Sequence, residues 1–234
     1  MLILCTICAR GGSKGIINKA LKKIYKRPLI SYTIRQAVKS KIFDEIVVST
    51  DSIKIQKIAR IYGAKSWFLR PKNLSNDNTP KLPVIRHALI ASEKFFKKKF
   101  DICFDLDLTS PLRAINDIKN AIRKFKRSNC NNLFSVNYAK KNPYFNMVEK
   151  KNKTFSLVKK KNKNFYSRQK SPKVFEMNAS IYIYKRKFLM DRQNLFTNKT
   201  SIFLMPRNRS IDIDDALDLR LIKKIIKYDK RLFK

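Results

Sequence analysis

The chain has 234 residues, enough for one or two domains with a proper core, and its 44% hydrophobic content is ordinary for a globular protein. Its 54 Lys and Arg against 17 Asp and Glu give a net charge of +37. No apolar run approaches the roughly 18 residues that a spanning helix needs, which excludes a helical membrane protein.

The predicted elements alternate in type along the chain. "LILCTIC" (2–8) is an apolar run of strand length, followed at once by the loop "ARGGSKG". "LISYTIRQAVKS" (29–40) has apolar residues at helical spacing, and "EIVVST" (45–50) is a second strand that runs into Asp51. "SIKIQKIARIYG" (52–63) is a helix with a glycine at its stop, and "KSWFL" (65–69) a short strand. "LPVIRHALIASEKFF" (82–96) is a helix, "DICFDLD" (101–107) a strand and "INDIKNAIRKFKR" (115–127) a helix. This order predicts an α/β fold with a mostly parallel, Rossmann-like sheet and helices on both faces.

Residues 138–176 break the pattern. They are rich in Lys and Asn, carry short aromatic strands and lack helical periodicity, as expected of an inserted β-rich arm. The core is then 1–137 and 177–234. It resumes with "NASIYIY" and closes with "IFLMP", "SIDIDD" and the helix "ALDLRLIKKIIKYDK".

The basic charge could mark a nucleic-acid or acidic-membrane partner. The lysines, however, are spread over the whole length beside abundant Asn, Ile and Phe, as in a chain written by an AT-rich genome. Compositional drift is the better reading, and a nucleic-acid partner is not expected. Cys5-x-x-Cys8 has no second CxxC and no His partner, and lies inside an apolar run, so buried strand cysteines are expected. With no basic leader and no cleavage-type segment, a cytoplasmic protein is expected. The lone His87 lies inside a helix and reads as packing or surface.

Three of the four glycines fall in 11–15, directly after the first strand. Glycines let backbone N–H groups approach an anion, and Arg10, Lys14 and Lys19 add charge. The spacing is neither a Walker A loop nor G-x-G-x-x-G. A plain turn is the alternative; the flanking cations and the preceding strand favour nucleotide binding.

"ARGGSKGI…K" followed by "RPLISYTI" resembles the opening of the cytidylyltransferases that activate sialic and related nonulosonic acids as CMP-sugars. "FDEIVVSTDS", "FLRPKNLSNDNTP", "LTSPLR", "RQKSPKVFEMNASIYIY" and "SIDIDDALDL" resemble further segments of that family, in order and over nearly the whole chain. The resemblance implies attack by the anomeric hydroxyl of an acidic nine-carbon sugar on the α-phosphorus of CTP, with release of pyrophosphate and help from Mg²⁺. Gly11, Gly12, Ser13 and Lys14 would hold the triphosphate. Arg10 and Lys19 would neutralise its charge, and Arg70 and Lys81 would also contact the nucleotide. Asp212 and Asp214, two apart and on one face if extended, suit a hard cation, although helix capping could explain Asp214.

Departures from the family pattern stand at Asp107, usually Gln, at Ala20, usually Asn, and at Lys81, often Ser. Asp107 shares a strand face with Asp105 and is expected to contact either the sugar or the metal. Ser110, Arg168, Gln169, Asn178 and Tyr182 would bind the sugar acid. The arm implies a homodimer in which Arg168 serves the partner's site. "TPKLPVIRHAL", "LDLTSPLR" and "NASIYIY" resemble the branch acting on legionaminic acid. Another acidic sugar, such as 3-deoxy-manno-octulosonate, and a basic nucleic-acid-binding module are the alternatives.

Overall fold

The computed structural model describes residues 1–13, 15–161, 165–167 and 169–228. Its sheet begins with β1 (Ile3–Cys8), the predicted first strand. Also in it are β4 (Glu45–Ser49), β5 (Ile102–Leu106), β6 (Asn132–Tyr138), β9 (Phe175–Lys185) and β10 (Thr200–Leu204). The spatial order is β10-β6-β9-β5-β1-β4. All neighbours are parallel except β9, which runs antiparallel between β5 and β6. Two small antiparallel pairs complete the strands, β2 (Lys23–Ile24) with β3 (Arg27–Pro28) and, in the arm, β7 (Val148–Lys151) with β8 (Thr154–Leu157).

Helices cover both faces, as predicted. On one side α1 (Leu29–Ser40), α2 (Ile53–Ile61), α4 (Ile115–Arg127) and α6 (Ala216–Tyr228) pack on Ile3, Cys5 and Ile7 of β1 and on Ile102, Phe104 and Leu106 of β5. On the other, α3 (Lys81–Phe96) and α5 (Arg186–Asp191) pack on Leu4 and Cys103. The period-2 alternation of each strand thus feeds two apolar layers. No helix among the described residues is long and apolar enough to cross a membrane.

The cysteines Cys5, Cys8, Cys103 and Cys130 are free. Cys5 and Cys8 are three apart on a strand and point to opposite faces, which prevents pairing. Burial pushes both thiols well up.

Several elements differ from expectation. Strand β6 was not predicted, because its polar Asn132, Ser135 and Asn137 interrupt the apolar run; all three are buried with hydrogen-bond partners. "KSWFL" forms no strand and contributes only isolated bridges, Val47 to Lys65 and Thr50 to Leu69. Residues 211–214 pair with no strand and are held instead by Ile213, whose N–H donates to the Thr109 carbonyl at 3.0 Å. The ladder of β6 and β9 runs on to Tyr138 opposite Phe175, and the chain between them carries the β7–β8 pair.

Candidate active site

The carboxyl ends of β1, β4 and β5 lie together where the strand order reverses, with β4 on one side of β1 and β5 on the other, the usual ligand crevice of an open α/β sheet. A cavity of about 450 Å³ opens there. Arg10, Ser13, Gly15, Lys19, Ala20, Asp77, Asp107, Thr109 and Asp214 are among its lining residues.

The glycine loop is tied down rather than loose. The Gly11 N–H donates to Asp51 Oδ1 at 2.7 Å, so this amide is committed to the end of β4. Gly12 has open space around its Cα. Any side chain at Gly15 would collide with the Asp214 backbone carbonyl, so glycine there permits the close approach of the loop to the "IDID" segment. Arg10 pairs with Asp77. Lys14 lies outside the described residues.

Asn18, in the left-handed region at φ 55°, starts a 3₁₀ turn over Lys19–Leu21. The turn buries Ala20 in the core and aims Lys19 across the cavity. The Lys19 ammonium donates to the Ile213 carbonyl at 2.6 Å and lies 3.7 Å from Asp214 Oδ1.

The carboxylates differ sharply in setting. Asp105 is fully buried, and Asp107 follows it at the end of the same strand. Lys81, the first residue of α3, sits between them, 3.1 Å from Asp105 Oδ2 and 2.8 Å from Asp107 Oδ2, and 4.2 Å above the Tyr182 ring. Burial opposes the Lys81 charge, but Asp107 and Asp105 outweigh it and hold its pKa well up. Burial likewise opposes the Asp107 charge, and Lys81 with Thr109 reverses the balance and holds its pKa down. Asp212 lacks such a cation. Burial first, then repulsion from Asp107, pushes it up to about 6 despite a hydrogen bond with Thr109 and the nearby Lys19.

Asp212 Oδ1 is buried with no hydrogen-bond partner, a raw carboxylate oxygen that a cation would satisfy. Asp214 is 81% exposed and free to turn towards the same ion. It does not cap α6. Asp215 does, accepting from the N–H groups of Leu217 and Asp218 at 2.7 and 2.9 Å. Among the described residues no three Asp, Glu, His or Cys side chains converge as a ready-made metal cage. A cation here would draw its remaining ligands from substrate phosphate and water, which suits Mg²⁺.

The remaining predicted site residues fall into two groups. Arg70 is buried under the end of β4, donating to Ser75 Oγ and to the Ser49 carbonyl at 3.1 and 3.4 Å. Ser110 is fully buried and donates to the Asn178 carbonyl at 3.4 Å. Asn178 accepts from Ser135 Oγ at 2.6 Å and donates to Ser210 Oγ at 3.0 Å. These side chains brace the walls behind the cavity, while Tyr182 lies beside Lys81. Gln169 stands apart, lining a separate cavity of about 470 Å³ in the arm with Tyr138, Asn142 and Ser171. Arg168 lies outside the described residues. His87 packs edge-on against Phe68, with centroids 5.4 Å apart, as expected of a packing histidine.

Sequence reasoning gave no role to Asp77, Thr109 or Arg113, and left Asp105 as a strand-face neighbour. Arg113 is fully buried; Nη2 donates to the Asp107 carbonyl at 3.1 Å and to Gln36 Oε1 at 3.1 Å, and Nη1 to Ser180 Oγ at 3.0 Å. Burial brings its pKa down to about 10. The signal was available, since Arg113 closes the quoted "LTSPLR", but nothing in the string says that an arginine points inward.

The chain matches the family described as Cytidylyltransferase over residues 4–233. It is 47% identical over 224 residues to the CMP-N,N'-diacetyllegionaminic acid synthase of Campylobacter jejuni, covering 96% of this chain and 94% of that one. It is 45% identical over 225 residues to the "Post-translational flagellin modification protein B" of Campylobacter coli, covering 96% and 95%. A solved CMP:2-keto-3-deoxy-manno-octonic acid synthetase complexed with CTP, at 16% identity, shares the fold with a TM-score of 0.69 over 97% of this chain and 99% of that one. A glycine loop facing paired carboxylates across a strand-end cavity, and a match that spans the sheet from β1 to α6, lead to one conclusion: the chain belongs to the cytidylyltransferase family.

Proposed function

We propose that this enzyme transfers the cytidylyl group of CTP to the anomeric hydroxyl of a nonulosonic acid, with a diacetylated legionaminic acid as its preferred acceptor, and releases pyrophosphate. The observation that carries this reading is the 47% identity, end to end, to a CMP-N,N'-diacetyllegionaminic acid synthase. It is supported by a cavity lined by Lys19 and Asp214 together with Arg10, Ser13 and Gly15 of the glycine loop. The likeness to the octonic acid synthetase is at the level of fold and does not favour that sugar.

The chemistry asks for positioning and for neutralisation of charge on the α-phosphate and the departing pyrophosphate. Gly12 and Ser13, with Lys14, offer backbone and ammonium donors to the triphosphate. Arg10 and Lys19 flank it, and Lys19 is fixed by the Ile213 carbonyl so that its charge points into the cavity. Arg70 shapes the nucleotide pocket from beneath β4. Ser110, Asn178 and Tyr182 lie on the acceptor side, with Gln169 and Arg168 supplied by the arm of a partner subunit. Divalent-metal dependence is general in this family, and we take Mg²⁺ as the ion, held by Asp212 and Asp214. When bound, it neutralises the triphosphate and the leaving group.

On this reading residues 138–176 are an inserted arm that joins two subunits. Their exposed Val148, Phe155 and Tyr166 supply the apolar surface for such a contact. The protein works in the cytoplasm, where CTP is made.

Purified protein with CTP and Mg²⁺, offered a panel of nonulosonic acids while pyrophosphate is followed, tests the assignment. Release is expected with all members of the class that fit, and kcat/KM should be higher for diacetyllegionaminic than for N-acetylneuraminic acid. Comparable values, or the reverse order, would overturn the acceptor; no release with any acid would overturn the reaction.

A further inference from the structure

A continuous polar relay crosses the site from α3 to the "IDID" segment. Lys81 holds Asp107 Oδ2 at 2.8 Å. Asp107 Oδ1 in turn accepts from the Thr109 N–H at 3.1 Å and from the Thr109 hydroxyl at 2.9 Å. The Thr109 carbonyl accepts from the Ile213 N–H at 3.0 Å, next to Asp212. We propose that Lys81 and Asp107 are positioning residues that act through Thr109 to place the Asp212 carboxylate for the transfer reaction proposed above, on which this inference rests.

The geometry argues against simpler roles. Both Asp107 oxygens are engaged, Oδ1 twice by Thr109 and Oδ2 by Lys81, which leaves one acceptor site for any metal. Lys81 spends its ammonium on Asp107, Asp105 and the Tyr182 ring. A phosphate would have to compete with these two carboxylates for the ammonium. Its task is enforced from below. Asp105 is fully buried, and its Oδ1 accepts from Thr6 Oγ1 at 2.8 Å. Asp105 and Asp107 face the same way from one strand, and without Lys81 their charges repel. The lysine therefore fixes Asp107 in one place, and Asp107 fixes the loop that carries Thr109. A carboxylate placed about 1 Å wrong at a transfer site costs on the order of 10²-fold in rate.

The test compares Lys81→Met, Asp107→Asn and the double variant, reading pyrophosphate release and, separately, Mn²⁺ binding by electron paramagnetic resonance with and without α,β-methylene CTP. Each single variant is expected to lower kcat about 10- to 100-fold with the KM for CTP within about threefold, and to weaken Mn²⁺ binding about tenfold. The double variant should fall within about threefold of the worse single, because both remove the same relay. Lys81→Arg should recover part of the loss. The inference is overturned if Lys81→Met raises the CTP KM with kcat unchanged, if the two losses multiply, or if Mn²⁺ binding is unaltered in both singles. Should Lys81→Met fail to fold, Asp107→Asn and Thr109→Val answer the same question, since their losses must also overlap. A wild-type protein that binds Mn²⁺ but releases no pyrophosphate sinks the proposed reaction, while the Mn²⁺ comparison still decides the relay.

Discussion

The strand-end site and the arm are built on opposite principles. At the site, the cations are held from more than one direction: Lys81 by two carboxylates and a ring, Arg113 by β9, α1 and the Asp107 carbonyl, Lys19 by the Ile213 carbonyl and Asp214. These groups lie beside the strand ends of a sheet packed on both faces, whose core fixes the elements that carry them. Among its described residues the arm has only the pair β7–β8, which by itself is a marginal structure in water. Val148, at 64% exposed, and Phe155, at 70%, find no core to cover them. Asn142 secures its base, accepting from the Tyr144 N–H and donating to the Pro172 carbonyl, both at 2.9 Å. Rigid placement comes from burial on two sides, and a segment without it leaves its apolar side chains exposed.

If the two regions do separate work, they should break separately. The largest effect is expected from Lys19→Met, which should lower kcat by about 10²- to 10³-fold, in steady-state pyrophosphate release, while sedimentation shows the same oligomer as wild type. A change of oligomeric state would join the two regions and break the contrast. Arg113→Met leaves Gln36, Ser180 and the Asp107 carbonyl with unfilled acceptors in the interior. A loss of about 2–4 kcal/mol in urea unfolding is expected, with activity falling as well. A core arginine that could be removed for under about 0.5 kcal/mol would mean that the site is not held as described.

Phe155→Ser sharpens the contrast from the other side. It should weaken self-association about tenfold in sedimentation equilibrium, worth about 1.4 kcal/mol, and leave monomer unfolding unchanged. If instead the monomer is destabilised, the arm is part of the core.

The smallest effect lies at the opposite end of the sheet, where Glu93 joins α3 to α5. Burial pushes this carboxyl up, but Arg186 at 2.7 and 2.9 Å and the Phe100 N–H at 3.1 Å outweigh it and hold it below its usual value of 4.5. A depressed folded pKa contributes stability above the unfolded pKa and loses it as pH falls through the folded one. Thermal melts of wild type and Glu93→Gln should differ by about 2–4 °C at neutral pH and converge as pH falls through the lowered pKa of Glu93. Parallel curves would remove the pair from the account.

Legibility in the sequence followed the physics of each element. Helices α1 and α4 carry a clean 3.6-residue apolar stripe and were found residue for residue. Strand β6 was not, because its buried polar side chains erase the period-2 signal and are satisfied only by partners such as Asn178, far along the chain. The "IDID" alternation pointed to the right carboxylates for an incomplete reason. The segment is no strand, and one register step moved the helix cap from Asp214 to Asp215.

The sequence by itself determined the layered α/β architecture, the cluster of glycines behind the first strand and the scarcity of acidic residues that made Asp107, Asp212 and Asp214 stand out. Those are local properties: periodicity, turn chemistry and composition are written in neighbouring residues. Only the tertiary structure decided that Gly15 must pass under the Asp214 carbonyl, that Arg113 is a core residue and that Lys81 bridges two aspartates of another element. Each of these depends on which distant segments touch. A charge becomes a surface cation or a buried clamp according to the partners that folding brings to it, and nothing local in the chain records that choice.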